Sequence, residues 1–375
     1  MMAKRQLNCA AVALIAACAC DARAGRGEPL HMPNGVRAND ILQPLRGPYR
    51  PAAAPHAEPV AVRDLPTFPD PVRDVVGTSY YVGNSHDKVD PDLKAENERL
   101  QMPLAAFGRV LMNLTDEYLR APSDGAPLAT AAVHGMARWA DSGAMLGRVN
   151  RQGYYHLTWA LGAFALDYLK IREDRSLDPA EKVRVERWLR RLAAEVMAYF
   201  DMAPNAGDRL NNHGYWAAMA VAAAGVATND KTLFDWGIGH YSLFLRTVSR
   251  DGSLPLELER RSRALHYHLF ALAPLVMLAE LAQANGIDLY AAGDRALERL
   301  AGRCLDGLAA PAAFAKVAGA PQVPMDSSDL AWIEPYHARF PAADVSRWLR
   351  LRPLVSPLLG GDLTLAFAAA EAPTR

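Results

Sequence analysis

Two short segments of this chain carry more polar apparatus than their helical surroundings need. The first is Asp208-Arg209-Leu210-Asn211-Asn212-His213-Gly214-Tyr215-Trp216. It opens a run from Tyr215 to Ala227 that is apolar on every side, the mark of a buried helix. One Asn there is an ordinary N-cap. A second Asn, a His and a Trp exceed what capping requires, and helix N-termini attract anions. The second segment is Glu257-Leu258-Glu259-Arg260-Arg261-Ser262-Arg263-Ala264-Leu265-His266-Tyr267-His268. On a continuous helix Arg260 and Tyr267 share a face, about 10 Å apart along the axis, with Arg263 on the same stripe. A guanidinium and a phenol so aligned can clamp a carboxylate and deliver a proton to a neighbouring atom. The bland alternative is a solvated basic stripe paired to Glu257 and Glu259.

Other chemistries find less support. His266 and His268 lie two apart and point about 200° away from each other on a helix, so they cannot share one ion. The helical zinc spacing is absent, as are a nucleophile elbow, a P-loop and a dinucleotide fingerprint. No metal and no cofactor are expected. Cys304 falls among Leu297, Leu300 and Leu308 and reads as a small buried hydrophobe. Lys plus Arg equal Asp plus Glu at 41 each, so the chain lacks the basic surplus of a nucleic-acid binder.

The elements that must position these segments are helical. Capped patterns begin at Asp90-Pro91 and at Asp178-Pro179-Ala180-Glu181, where Glu181 would complete a capping box. Further helical segments run over about 101–120, 126–147, 155–172, 179–200, 214–227, 230–248, 257–284, 291–309 and 326–340. Pro274 is expected to kink the 257–284 helix. The 179–200 segment is amphipathic and belongs outside; the 214–227 segment belongs inside. Alternating inner and outer helices predict an all-α fold, an (α/α) toroid, over residues 76–375. Prolines every few residues from 25 to 75 predict an extended arm before it. Residues 1–24 have the basic, apolar and small-residue regions of a signal peptide, with cleavage after Ala24; a lipobox-like alternative ends at Cys18. Export to the periplasm is expected, with no later membrane span.

Several motifs resemble the alginate lyases of polysaccharide lyase family 5. They are Asn211-Asn212-His213-Gly214-Tyr215-Trp216-Ala217-Ala218, Ala224-Gly225-Val226-Ala227-Thr228-Asn229, Arg260-Arg261-Ser262-Arg263-Ala264-Leu265 with Tyr267-His268, and Ala282-Gln283-Ala284-Asn285-Gly286-Ile287-Asp288-Leu289. Later echoes are Trp332-Ile333-Glu334-Pro335-Tyr336 and Leu359-Gly360-Gly361-Asp362. The resemblance spans roughly residues 75–365. It implies a periplasmic toroid that cleaves polyuronates by β-elimination without a required metal, and a monomer acting on an anionic polysaccharide.

The resemblance also implies catalytic roles for Asn212, His213, Arg260 and Tyr267. Asn212 and Arg260, assisted by His213, would neutralise the uronate carboxylate and so stabilise the enolate-like transition state. Tyr267 would take the C5 proton and protonate the leaving oxygen of mannuronate, its phenolate favoured by Arg260; His213 would be the base for guluronate. Substrate contacts are expected from Tyr80, Tyr81, Trp216, Arg263, His266 and Arg339. Near the start of the domain the family's Lys-Tyr pair is replaced here by Tyr80-Tyr81, so the preferred uronate is open: alginate, or polyglucuronate and other uronates. A glycoside hydrolase would instead need a carboxylate pair, for which Glu257, Glu259 and Glu334 are candidates. A non-catalytic polysaccharide-binding or export protein is the remaining class.

Overall fold

The computed structural model describes residues 43–49, 65–83, 86–120, 125–202 and 206–368. The signal peptide, the Cys18 alternative and much of the Pro-rich arm lie outside the described residues. The helices are α1 (Pro91–Arg120), α2 (Ala126–Asp141), α3 (Arg151–Ile171), α4 (Pro179–Met202), α5 (Ala206–Leu210), α6 (Asn212–Ala227) and α7 (Lys231–Thr247). They continue with α8 (Pro255–Leu258), α9 (Ala264–Gln283), α10 (Ala292–Ala309), α11 (Pro311–Ala318) and α12 (Ile333–Arg339). The Asp-Pro starts behave as their chemistry dictates. Asp90 Oδ1 accepts from the backbone N–H groups of Asp92 and Leu93, and Asp178 Oδ1 from that of Ala180.

Inner and outer helices alternate in the manner of an (α/α) toroid. α3, α6 and α9 are buried on nearly every side and pack against one another in that order, with α1 beside α3. α2, α4, α7 and α10 each bury one face against this inner row, as amphipathic helices must. The stretch Arg261–Gln283 is long and apolar enough to cross a membrane, contrary to expectation, but 89% of its most apolar 18-residue window is buried inside the protein as a core helix.

Two departures matter for the site. The helix expected over 257–284 is broken. α8 ends at Leu258, Arg261 takes a left-handed backbone (φ 50°), and a short 3₁₀ turn over Arg261–Arg263 leads into α9. α9 then runs on through Pro274. The second departure is a pair of two-residue ladders. β1 (Tyr81–Val82) pairs antiparallel with β2 (Lys88–Val89), and β3 (Val355–Ser356) with β4 (Gly361–Asp362).

The described parts of the Pro-rich arm are free of helix and dock on the ring. Leu45 is fully buried. Its N–H donates to Asn229 Oδ1 at 2.9 Å, and that of Arg46 donates to Asn285 Oδ1 at 2.9 Å. Trp139 Nε1 donates to the Pro69 carbonyl at 3.1 Å.

Candidate active site

A cleft of about 610 Å³ opens among the N-terminal ends of α3, α6 and α9, the β1–β2 hairpin and the bend before α9. It brings together the two segments singled out in the sequence. His213, Arg260, Arg263, His266 and Tyr267 line it, together with Tyr80 and Tyr81.

The α6 end is built by division of labour between the two Asn residues. Asn211 is the N-cap, its Oδ1 accepting from the His213 N–H at 2.9 Å. This turns His213 toward α3, where its ring stacks on Tyr155 with centroids 3.7 Å apart and planes 11° apart. Gly214 must follow, because a Cβ there would lie 2.1 Å from the Arg209 carbonyl oxygen. Burial, seconded by the Arg260 and Arg151 cations, pulls the His213 pKa down to about 3 against the pull of Asp208. The imidazole is therefore neutral near pH 7.

Asn212 corrects one expectation. It has no accessible surface and does not line the cleft. Its Nδ2 and its backbone N–H both donate to Glu257 Oε1, at 2.9 and 2.8 Å. Glu257 is 1% exposed, and burial raises its pKa. Its other oxygen lies 3.8 Å from Arg260 Nε. Asn212, Glu257 and Arg260 thus form one chain, with only the guanidinium end at the cleft.

Arg260 and Tyr267 do meet, but not along one helical stripe. The reversal at Arg261 folds the guanidinium of Arg260 back over the Tyr267 ring, 4.7 Å from its centroid. Arg263 stands 5.9 Å from the same ring and 5.8 Å from that of Tyr81, and forms no ion pair among the described residues. The Tyr267 hydroxyl donates to the Tyr81 hydroxyl at 2.5 Å. A phenolate favoured by Arg260 was the expectation. Burial outweighs the cation, and with the Tyr81 contact it raises the Tyr267 pKa well above its ordinary value. In the free cleft Tyr267 is a neutral phenol.

His266 lines the cleft with Nδ1 3.1 Å from Asp329 Oδ2. His268 points into the core, its Nε2 accepting from the Leu254 N–H at 3.0 Å. Two expected substrate contacts are misplaced. Trp216 is 1% exposed and packs on Phe270 inside the ring. Arg339, on α12, makes a two-point pair with Glu280 at 3.2 and 2.9 Å away from the cleft lining. Cys304 is buried, as its pattern required.

Sequence reasoning missed the α3 wall. Asn150 caps α3, and Arg151 and Tyr155 line the cleft. Arg151 makes a two-point pair with Asp208, 2.8 and 3.1 Å long, and its Nε also donates to the Tyr155 hydroxyl at 3.1 Å. A signal was present: Asn150-Arg151-Gln152-Gly153-Tyr154-Tyr155 repeats the Asn-x-x-Gly-aromatic-aromatic plan of Asn211–Trp216. Gly153 is needed for the same reason as Gly214, since its Cβ would lie 1.9 Å from the Val75 carbonyl oxygen.

Chemically, the cleft offers three guanidinium groups, three imidazoles including the neutral one of His213, and four phenols including that of Tyr267. Asp208 is the only carboxylate among its described lining residues, and Arg151 holds it. The hydrolase carboxylates do not assemble: Glu257 and Glu334 are buried, Glu334 in a pair with Arg352, and Glu259 is exposed.

Comparison with known proteins agrees with this chemistry. The family described as Alginate lyase matches residues 74–314. A protein of Stenotrophomonas maltophilia (strain K279a) described as a polysaccharide lyase is 38% identical over 328 residues, covering 86% of this chain and 96% of its own. An alginate lyase of Azotobacter vinelandii is 34% identical over 362 residues, covering 92% and 94%. Among solved structures, alginate lyase A1-III from Sphingomonas species A1 superposes with a TM-score of 0.70 at 28% identity, over 85% of this chain and 90% of that one. A variant of A1-III complexed with a tetrasaccharide gives a TM-score of 0.75 at 27% identity, over 86% and 90%. Fold, cleft and sequence agree: the chain belongs to the alginate lyase family and is an enzyme of the polysaccharide lyase class.

Proposed function

We propose that this cleft binds an anionic polyuronate of the alginate type and cleaves it by β-elimination, leaving a 4,5-unsaturated uronate at the new end. The observation that carries this reading is the meeting of Arg260, His213 and Tyr267 in one cleft from segments remote in sequence. The C5 proton of a uronate is weakly acidic because the adjacent carboxylate is already negative. Arg260, held by Glu257, neutralises that carboxylate as charge develops on it. Asn212 acts behind Arg260 through Glu257 rather than on the sugar.

In β-mannuronate the C5 proton and the C4 oxygen lie on the same side, so Tyr267 serves both steps. The Tyr267 phenolate takes the C5 proton, the electron pair of the C5–H bond forms the C4–C5 double bond, and the C4–O bond breaks as the resulting phenol gives that proton to the leaving oxygen. As a neutral phenol Tyr267 is ready as the acid. As the base it must first lose its proton to solvent water, which Arg260 assists and burial opposes. For guluronate the proton is on the opposite face, where neutral His213 serves as base and Tyr267 as acid. Tyr80, Tyr81, Arg263 and His266 complete the sugar-binding wall. The protein acts as an exported, periplasmic monomer, its 1–24 leader removed and the catalytic toroid beginning near residue 76.

The test is a panel of polymannuronate, polyguluronate, polyglucuronate and hyaluronan, followed by absorbance of the unsaturated product. Absorbance growing on at least one polymer is expected. New reducing ends without absorbance would mean a hydrolase, and retention without cleavage would mean a binding protein. The mass of the mature protein tests Gly25 as first residue against a lipidated Cys18.

A further inference from the structure

His213 lacks the usual device for holding an active imidazole. A working His ordinarily fixes its ring by a hydrogen bond from the nitrogen that does not react. Here Nδ1 is buried with no hydrogen-bond partner among the described residues. What the ring has instead is a face. Tyr155 lies parallel to it at 3.7 Å, and Trp159 follows at 6.1 Å. Tyr155 is itself 6% exposed and pinned by its hydroxyl, which accepts from Arg151 Nε at 3.1 Å and bonds Asp208. Asp208 is 4% exposed; it takes both prongs of Arg151 and a further bond from the Tyr199 hydroxyl at 3.3 Å.

We propose that Tyr155 is a positioning residue for His213, setting the plane of the imidazole by stacking, and that the Arg151–Asp208 pair holds Tyr155 in register. The chain runs from an ion pair whose carboxylate is buried and whose guanidinium is exposed, through a phenol, to a ring face, and ends at the cleft. Its elements are α5 (Asp208) and the first turn of α6 (His213), joined through Asn211, and the start of α3 (Arg151 and Tyr155), so the clamp ties the α5–α6 corner to a helix start remote in sequence. The stack also shields the imidazole from water. This keeps His213 uncharged among the groups that face it: Asp208 from α5, Arg151 from α3, His86 from the hairpin and Arg260 from the bend. The inference rests on the reading of His213 as a group that acts on the uronate.

The experiment compares Tyr155→Phe, Tyr155→Leu and Asp208→Asn in the full chain. Turnover is read on the best polymer of the panel, and the His213 ring signal by NMR with isotope-labelled histidine, assigned through His213→Gln. Tyr155→Phe keeps the ring but deletes the hydroxyl through which Arg151 and Asp208 hold it, so a partial loss of kcat and a small shift of the His213 signal, both well short of those in Tyr155→Leu, are expected. Tyr155→Leu removes the stack. It should lower kcat about 10²-fold, the scale for a misplaced catalytic group, with a smaller change in KM, and release the ring-current shift. It should also add an acidic limb to the pH profile as His213 regains a more ordinary pKa. A Tyr155→Leu enzyme with normal kcat and an unmoved ring signal overturns the proposal. So does a Tyr155→Phe enzyme as impaired as Tyr155→Leu, because the hydroxyl rather than the face would then matter. If Tyr155→Leu does not fold, Asp208→Asn decides: the His213 signal must move, and its staying fixed refutes the clamp. If wild type gives no unsaturated product on any polymer, the lyase reading fails, while the ring signals still judge the clamp.

Discussion

The Tyr267 hydroxyl donates its hydrogen to the Tyr81 hydroxyl at 2.5 Å, so the phenol at the heart of the cleft is held by the β1–β2 hairpin before any sugar arrives. Tyr267→Phe deletes this bond and the proposed proton carrier while leaving the ring beneath Arg260. Turnover should fall at least about 10²-fold, one acid–base role being worth about 10²–10⁴-fold, with the thermal midpoint nearly unchanged. Activity within about tenfold of wild type would remove Tyr267 from proton transfer.

The raised Tyr267 pKa gives the pH dependence a sign. The basic form is scarce at pH 7, because burial and Tyr81 both favour the neutral phenol. On polymannuronate kcat/KM should climb between pH 7 and 9, by at most about tenfold per pH unit for one proton. Arg260 opposes the raising causes, so Arg260→Ala should move the climb to higher pH as well as weaken binding. A flat profile over this range in wild type would show that the phenolate is not the base.

Much of this molecule is legible in its sequence. The Asp-Pro starts, the all-round apolar run after Tyr215 and the amphipathic run after Pro179 suffice for helices and layers, because capping and burial are local or periodic properties. The His213 and Tyr267 segments stand out by excess polarity at helix starts. What stays hidden depends on partners far along the chain. The left-handed Arg261 breaks a pattern that reads as one helix, and nothing in Arg-Arg-Ser-Arg announces it. Trp216 and Arg339 have types suited to sugars, yet packing turned one inward and gave the other to Glu280. The Arg151–Asp208 pair joins residues 57 apart, a distance no periodicity spans.

Glu257 separates charge from hydrogen bonding at the Asn212–Arg260 link. Glu257→Gln can still accept both Asn212 N–H groups but no longer pairs with Arg260. Stability should change little and kcat/KM should drop about tenfold, the loss expected for one weakened charge–carboxylate contact. Glu257→Ala also strands two buried donors, costing about 1–3 kcal/mol each, and should lower the thermal midpoint as well. Equal loss of activity in both variants at unchanged stability would argue that Asn212 needs no partner there.

His268 yields a prediction about stability. Its ring is fully buried, with Nε2 accepting from the Leu254 N–H and Nδ1 bonded to the Ala264 carbonyl at 2.7 Å. Burial lowers its pKa to about 4, aided by Arg303 and opposed by the Ala264 carbonyl and Asp251. The unfolded chain binds this proton near pH 6.5. Between about pH 6.5 and 4 the unfolded state therefore holds one more proton than the folded state at this site, and stability rises with pH there. The contribution is complete above the unfolded value and declines by about 1.4 kcal/mol per pH unit on acidification, ending near the folded value. His268→Gln cannot titrate, while its amide can still accept from Leu254. Urea unfolding across this window should therefore show a slope shallower by one proton in the variant, whatever its stability at pH 7. Parallel curves for wild type and variant would mean that His268 is protonated in the fold, with the Leu254 bond broken.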